Sequence, residues 1–274
     1  MDTICMENYR EYLICQEKST YTIEKYLRDA ATFMSFLAGR EIRKELCLEY
    51  KQQLIDLGYS VCSINSMLAS VNNLLDFLGL PLCRVKRIRQ QRQVFCSEEK
   101  ELTKSEYLRL LKASRKDLRL NLILQTICST GIRVSELTYF TVEDLRKGEI
   151  RVQCKGKNRL IFLPQKLKIM LLQFAETQGI SSGPVFVTRR GKPMDRSNIW
   201  AQMKKLCEKA GVAASKVYPH NLRKLFAKMF YGAEKDIAKL ADILGHSSIE
   251  TTRIYIMTSG NEHRRLIDKL GLLI

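Results

Sequence analysis

The sequence has no run of 18 or more apolar residues, so no segment is predicted to span a membrane. Its first residues lack a basic segment followed by an apolar one, and a secretory signal peptide is therefore not expected. The nine cysteines form no CxxC pair and are odd in number. Reduced thiols in a cytoplasmic protein fit this better than a disulfide framework or a zinc site.

Acidic residues are few beside basic ones, with 29 Asp and Glu against 46 Lys and Arg and a net charge of +17 at pH 7. The imbalance is uneven, because the net charge is −3 over residues 1–80, +4 over residues 81–100 and +16 over residues 101–274. Such an excess favours binding to a polyanion, although a solvated basic surface gives the same composition.

Residues 1–80 are predicted to form a helical first domain. Apolar residues recur at helical spacing between Thr20 and Gly39, from Leu46 to Leu57 and from Ser63 to Leu78. A short helix at Tyr9–Cys15 would complete a four-helix unit.

Residues 81–100 interrupt this periodicity and carry no acid before Glu98. The pattern predicts an exposed basic linker between domains, although a nuclear-localisation signal has the same composition. The residues expected to contact DNA from this linker are Arg84, Lys86, Arg87, Arg89 and Arg92.

Residues 101–274 are predicted to form a second domain that is mainly α with a small β-sheet. It opens with a capping box at Thr103–Glu106 and continues as helices to residue 146. The elements expected after that are strands at 149–153 and 160–163, a helix at 166–177, a strand at 185–187 and helices from Arg196 to Leu270.

Four clusters in this second domain carry chemically useful residues. They are Thr130–Leu137, the turn Cys154–Arg159, Pro219–Lys224, and the stretch from Leu244 to Tyr255. Together they resemble the tyrosine recombinases, the family of phage integrases and Xer recombinases. That pattern has an arginine in a Thr-Gly-x-Arg-x-Ser-Glu-Leu box, a hairpin lysine, a His-x-x-Arg pair, a Leu-Gly-His box and a tyrosine. This chain has all six catalytic positions in order: Arg133, Lys155, His220, Arg223, His246 and Tyr255.

The resemblance covers residues 100–260, and the first domain matches the family's DNA-clamping domain only in size and position. Lys224 departs from the pattern, because many relatives have histidine there. The resemblance implies a site-specific recombinase that joins DNA to its tyrosine as a 3′-phosphotyrosyl bond, with no metal and no nucleotide cofactor. It also implies a double-stranded DNA site, a homotetramer assembled on it, and a location at the nucleoid in the cytoplasm of a bacterial cell.

The residue types suit this chemistry on physical grounds. Attack on a phosphodiester builds negative charge on the phosphoryl oxygens, which fixed cations stabilise. Arg133 and Arg223 are always charged and can grip two oxygens at once, and Glu136 could orient Arg133 by an i,i+3 contact. A simple surface ion pair between Arg133 and Glu136 would give the same spacing.

His220 and Arg223 share one face of a helix that starts after Pro219. His220 would accept the tyrosine proton or position the tyrosine, and His246 would hydrogen-bond a phosphoryl oxygen. Gly245 is predicted to end one helix, and a capping box at Ser247–Glu250 to start the next. Tyr255 then lies two turns along a short helix that ends at Ser259–Gly260, whereas a tyrosine on an amphipathic helix is ordinarily core.

The hairpin leaves alternatives open. Lys155, Lys157 and Arg159 are all basic, and Lys155 aligns with the family's lysine, which would protonate the departing 5′-oxygen. Lys157 and Arg159 are then expected to contact DNA. A solvated turn lysine is the other interpretation of Lys155.

Three other functions remain open at this point: an inactive DNA-binding protein, a type IB topoisomerase and a metal-dependent nuclease, for which no convincing carboxylate cluster is found. The apolar end of the chain, from Leu266 to Ile274, could dock on a neighbouring protomer or on its own domain. Candidate DNA contacts of the first domain are Lys18, Lys25, Arg28, Arg40, Arg43 and Lys44.

Overall fold

In a computed structural model, the structure describes residues 3–89, 98–154, 157–257 and 268–269. The chain divides into two units, Met1–Arg92 and Gln93–Ile274, and the division falls inside the predicted linker. The fold is mainly α-helical with one small two-stranded sheet, which confirms the predicted class. No described helix is both long and apolar enough to cross a membrane.

The first unit contains the four predicted helices. Serine side chains cap two of them, since Ser19 and Ser60 each accept a hydrogen bond from a backbone N–H three residues later. The first helix begins earlier than the predicted Tyr9. The bounds are α1 (Thr3–Cys15), α2 (Thr20–Leu37), α3 (Lys44–Asp56) and α4 (Val61–Phe77).

An ion pair within α2 is hydrogen-bonded to α4 inside this unit. The Asp29 carboxylate, 6% exposed, lies 2.5 Å from Lys25 Nζ and accepts a 2.8 Å hydrogen bond from the Ser70 hydroxyl. Lys25 also donates to the Ser66 carbonyl at 3.1 Å. Lys25, a candidate DNA contact in the sequence analysis, is therefore hydrogen-bonded within its own unit.

Most side chains of residues 81–89 are exposed, as predicted for the linker, but the segment is attached to the first unit. Val85 is 3% exposed and belongs to the core of the first unit, and Ile88 packs against that core. The side chains of Asn65 and Asn72 hydrogen-bond the backbone of this segment, so hydrophobic periodicity does not reveal the attachment. Residues 90–97, with Arg92, lie outside the described residues.

The second unit is built around α6, whose side chains are buried on nearly every face and which packs against α8, α9 and α10. The predicted capping box at Thr103–Glu106 is confirmed. The helices are α5 (Lys104–Ala113), α6 (Leu118–Thr130), α7 (Val142–Lys147), α8 (Gln165–Thr177), α9 (Arg196–Ala210), α10 (Pro219–Glu234), α11 (Ile237–Leu244) and α12 (Ile249–Ile256), with a 3₁₀ segment at Val134–Tyr139.

The sheet consists of β1 (Glu149–Cys154) and β2 (Lys157–Phe162), paired antiparallel with Val152 opposite Arg159. The strand predicted at 185–187 is wrong. Val187 forms only an isolated bridge to Pro193, and Pro184 forms another to Thr141. Each bridge includes a proline, which lacks the backbone N–H that a ladder needs, so neither bridge extends into a strand pair.

Candidate active site

Two helices of the second unit end at glycines beside the candidate catalytic residues. Gly131 caps α6 and Gly245 caps α11, with φ of 64° and 63°, a region that glycine enters without steric cost. A Cβ on Gly245 would also lie 2.7 Å from Cδ of Arg159. Glycine is therefore required at 245 for both conformation and space, and the predicted end of α11 at this residue is confirmed.

The last carbonyls of α11 bind three arginines. The Ile243 carbonyl accepts from Arg159 Nη1 at 2.5 Å, and the Leu244 carbonyl accepts from Arg223 Nη2 at 2.6 Å. The Gly245 carbonyl accepts from Arg133 Nη2 at 3.3 Å. A helix C-terminus carries partial negative charge and carbonyls without helical partners, so it holds these cations close together.

Glu136 is the buried anion of the cluster, with only 1% of the residue exposed. One carboxylate oxygen lies 3.0 Å from Arg133 Nη1, which confirms the predicted i,i+3 contact. The other forms an ion pair with Arg159 and accepts the Arg133 backbone N–H at 2.7 Å. A buried carboxylate needs such partners to offset its desolvation, so Glu136 fixes both guanidinium groups.

Arg223 is almost fully buried, with 2% exposed. Besides the Leu244 carbonyl it donates to the carbonyl of Gly131, so the ends of α6 and α11 converge on one guanidinium. Burial, and then the nearby charge of Arg133, lowers the pKa of Arg223 to about 10. At neutral pH the group therefore stays cationic.

Two histidines flank this guanidinium. His246 Nε2 lies 3.0 Å from Arg223 Nη2, and its Nδ1 lies 2.8 Å from the Thr252 hydroxyl on α12. His220 follows Pro219, which occupies the first position of α10, one turn before Arg223. The two rings come from different elements, His220 from α10 and His246 from the connection between α11 and α12.

Tyr255 lies against both rings. Its hydroxyl is 3.5 Å from His220 Nδ1, and its ring centroid is 5.0 Å from that of each histidine. The Arg223 guanidinium carbon is 6.0 Å from the tyrosine ring centroid. The phenol, on a residue that is 7% exposed, is therefore inside the cation cluster of its own chain.

The start of α12 differs from the prediction. Ser248, not Ser247, is the N-cap, and its hydroxyl accepts from the Glu250 N–H at 3.2 Å. The helix ends at Ile256, and residues 258–260 lie outside the described residues. Tyr255 is thus in the last turn of a helix of eight residues.

Burial and surrounding cations keep both histidines neutral at physiological pH. Burial is the larger cause for each, followed by Lys224 and Arg223 at His220 and by Arg223 and Arg133 at His246. The pKa of each ring falls to about 4. A neutral His220 whose hydrogen is on Nε2 can accept the tyrosine proton at Nδ1.

These pKa values predict how the stability of the free protein depends on pH. A histidine in an unfolded chain has a pKa near 6.5, so the unfolded state binds more protons between about pH 6.5 and 4. The contribution of both rings to stability is therefore complete above pH 6.5 and is lost as pH falls through 4. Denaturant unfolding at stepped pH, with NMR titration of the rings, measures this.

His246→Gln provides the control for that measurement, because it removes one titrating ring and leaves His220. We expect a weaker dependence of the free energy of unfolding on pH between 6.5 and 4. Ring midpoints near 6.5 in the folded wild-type protein would contradict the prediction.

The cluster opens into a cleft of about 800 Å³ whose far wall is α9. Arg196, Trp200 and Lys204 line it at i,i+4 spacing, and Lys204 Nζ lies 5.4 Å from the Trp200 ring centroid. These three residues were not among the predicted site residues. The signal was available, because this is the chain's single tryptophan, placed between two cations on one helical face.

The structure brings together five of the six predicted catalytic residues: Arg133, His220, Arg223, His246 and Tyr255. Lys155 lies outside the described residues, as do residues 258–267 and 270–274, which include the apolar positions of the chain end. Arg159, expected to contact DNA, has a side chain only 13% exposed and bound to Glu136, which favours a positioning role. Within the part of the chain that is described, no group of three or more His, Cys, Asp and Glu residues could hold a metal ion.

Residues 100–262 match the Phage integrase family. The tyrosine recombinase XerA of Pyrococcus furiosus is 30% identical over 276 residues, which covers 98% of this chain and 94% of the relative. The chain belongs to the phage integrase family. It is a tyrosine recombinase, as the motif order predicted.

Solved structures agree with this assignment. A crystal structure of XerA recombinase is 26% identical, covers 98% of this chain and 99% of that chain, and has a TM-score of 0.56. A lambda integrase tetramer bound to a Holliday junction shares the fold with a TM-score of 0.73 at 18% identity, covering 92% and 76% of the two chains.

Proposed function

We propose that this tyrosine recombinase is a site-specific enzyme that cuts and rejoins DNA strands with Tyr255 as nucleophile. The observation that carries the proposal is the position of the Tyr255 hydroxyl, 3.5 Å from a neutral histidine and beside a buried, charged arginine. A proton acceptor, a nucleophile and fixed cations in one place suit nucleophilic displacement at a phosphate.

In the cleavage step the Tyr255 oxygen forms a bond to a backbone phosphorus. The bond from phosphorus to the 5′-oxygen breaks, and the phenol proton passes to His220. The products are a 3′-phosphotyrosyl link and a strand that ends in a 5′-hydroxyl. Because the link retains an ester bond, a 5′-hydroxyl from a partner strand can reverse the step without ATP.

The cations lower the barrier to this displacement. Arg133 and Arg223 are held by the end of α11, so their positions are set before DNA binds. Prearranged donors need no reorganisation as charge develops on the phosphoryl oxygens, and each is typically worth about 100- to 1,000-fold in rate. His246 helps to orient this guanidinium, because its neutral ring accepts from Arg223 at Nε2, at 3.0 Å, when the ring hydrogen is on Nδ1 and is donated to Thr252.

Lys155 is proposed to protonate the departing 5′-oxygen, as the family pattern implies. A lysine near other cations shifts its pKa readily, which suits a proton donor. The residues proposed to contact DNA are Lys157, Arg84, Lys86, Arg87, Arg89 and Arg92, with Arg196 and Lys204 of the cleft added.

Partners follow from the reaction. Recombination exchanges strands between two double-stranded sites, which must be held together, and we propose a homotetramer on DNA. Lambda integrase forms a tetramer on a Holliday junction. A cytoplasmic, nucleoid-associated location in a bacterial cell is part of the same proposal.

The test is covalent capture on a nicked duplex. Cleavage near the nick releases a short strand, so religation fails and the 3′-linked protein accumulates. We expect an adduct on denaturing gels that forms equally well with EDTA and without nucleotide. Absence of any adduct from a duplex that carries the protein's own recombination site would reject strand cleavage and leave DNA binding alone.

A further inference from the structure

The segment 84–89 is held against α4 by two asparagines. The Asn72 side chain accepts the Val85 N–H at 2.8 Å and donates to the Val85 carbonyl at 2.9 Å. Asn65, two turns earlier on α4, makes the same pair of hydrogen bonds with Ile88, at 2.8 and 3.0 Å. Each carboxamide thus satisfies both backbone groups of one residue, as an adjacent strand would.

Two lysines of α3 bind the same segment. Lys44 Nζ donates to the Arg84 carbonyl, and Lys51 Nζ donates to the Lys86 carbonyl at 3.0 Å. Like the asparagines, these lysines are seven residues apart on one helical face. The backbone is therefore hydrogen-bonded to side chains of α3 and α4 at four positions, 84, 85, 86 and 88.

This attachment fixes which side chains point outward. Arg84 has φ −57° and ψ 139°, near the polyproline II region, in which three residues make one turn. The two residues bound by asparagine, Val85 and Ile88, are three apart and face the core. The basic residues between and around them, Arg84, Lys86, Arg87 and Arg89, are exposed, and we call them the basic strip.

The basic strip is poorly neutralised by its own unit. Arg84 lies 3.5 Å from the Asp76 carboxylate, an exposed pair that contributes little energy. Of the carboxylates the structure describes, none lies within ion-pair distance of Lys86, Arg87 or Arg89. Residues 1–80 have a net charge of −3. The basic strip therefore concentrates positive charge next to a segment that is acidic on balance.

We propose that the basic strip is a preordered contact for the DNA phosphate backbone, and that Asn65 and Asn72 are its positioning residues. The proposal rests on the DNA-directed function above. A flexible basic linker loses backbone entropy when it binds DNA, whereas a segment already bonded to α3 and α4 has lost it on folding. The asparagines thus raise affinity without touching DNA.

Salt dependence separates charge from preorganisation. The logarithm of the binding constant falls with the logarithm of salt concentration, with a slope of about −0.9 for each phosphate that the protein neutralises. Removing a cation that pairs with a phosphate changes the slope, whereas loosening the backbone changes affinity alone. We would measure anisotropy of a fluorescent duplex of mixed sequence with the full chain, from about 50 to 200 mM KCl.

Asn65→Ala combined with Asn72→Ala is expected to weaken binding about tenfold at every salt concentration, or about 1.4 kcal/mol, with the slope retained. Lys86→Gln combined with Arg87→Gln is expected to reduce the magnitude of the slope by about 0.9 for each phosphate that is no longer neutralised. Arg10→Gln, which removes one exposed charge from α1, is the control for a change in net charge alone and should leave the slope unchanged.

Hydrogen exchange supplies a readout without DNA. The amides of Val85 and Ile88 should be protected in the wild-type protein and lose protection in the asparagine variant. Unprotected amides in the wild type, or unchanged affinity in the asparagine variant, would overturn the positioning role. A slope equal to wild type in Lys86→Gln with Arg87→Gln would overturn the phosphate contact, even if the asparagine variant fails to fold.

The results of the salt-dependence and hydrogen-exchange tests can be distinguished from the result of covalent capture. If the strip behaves as expected but no adduct forms on nicked DNA, strand cleavage fails and the DNA contact stands. If the adduct forms but the salt slopes do not change, only the basic strip is rejected.

Discussion

Tyr255→Phe should abolish the covalent protein–DNA adduct completely while leaving DNA binding and folding nearly intact. The change removes the attacking oxygen but keeps the ring that packs on His220 and His246. The lost hydroxyl has one long contact, 3.5 Å to His220 Nδ1, so we expect the free energy of unfolding to change by about 1 kcal/mol or less. Denaturing gels on nicked DNA, anisotropy and thermal unfolding measure the three quantities.

Tyr218→Phe is the matched control for that variant. Tyr218 lines the same cleft, immediately before Pro219, and is the rival phenol nearest to the cations in sequence. Adduct formation should survive Tyr218→Phe. A covalent adduct that persists in Tyr255→Phe and disappears in Tyr218→Phe would reassign the nucleophile.

The order of the motifs predicted which residues share the site, but not what holds them there. His220 and Arg223 could be placed on one helical face because their spacing and the preceding proline define it. That three arginines would bind successive carbonyls at the end of α11 could not be predicted. Those acceptors are backbone atoms of Ile243, Leu244 and Gly245, which have no signature in side-chain type.

Arg159 illustrates the same limit. At a hairpin in a basic sequence it resembles a solvated DNA contact, and nothing nearby in the chain indicates otherwise. Its partner, Glu136, is 23 residues away and is reached only through the pairing of β2 with β1 and the packing of β1 against the 3₁₀ segment Val134–Tyr139. Glu136 itself was correctly assigned to Arg133 because that pair is local, at i,i+3.

The linker shows why composition can mislead about order. Positive charge and lost periodicity in residues 81–100 predict solvent exposure, and the side chains of Lys86 and Arg87 are exposed. The backbone nevertheless is anchored, because Asn65 and Asn72 on α4 bond it in pairs. Asparagine within a helix gives no sequence signal of such a distant backbone partner.

Arg223→Lys is expected to slow adduct formation by about 100- to 1,000-fold, although the formal charge is kept. The guanidinium donates from two nitrogens to the carbonyls of Gly131 and Leu244 and lies 3.0 Å from His246 Nε2. A single ammonium cannot reproduce that planar fork, and burial penalises its charged form. The rate constant for adduct formation at saturating protein measures the loss.

Arg115→Lys is the control, because it makes the same exchange at an exposed position of the second unit and should leave the rate unchanged. Thermal unfolding of Arg223→Lys distinguishes lost chemistry from lost structure. The guanidinium joins the ends of α6 and α11, so a lower Tm is expected alongside the slower rate. A folded Arg223→Lys protein that cleaves at the wild-type rate would contradict the prediction. The two helix ends would then position a cation that the reaction does not use, and Arg133 and Lys155 would have to stabilise the phosphate without it.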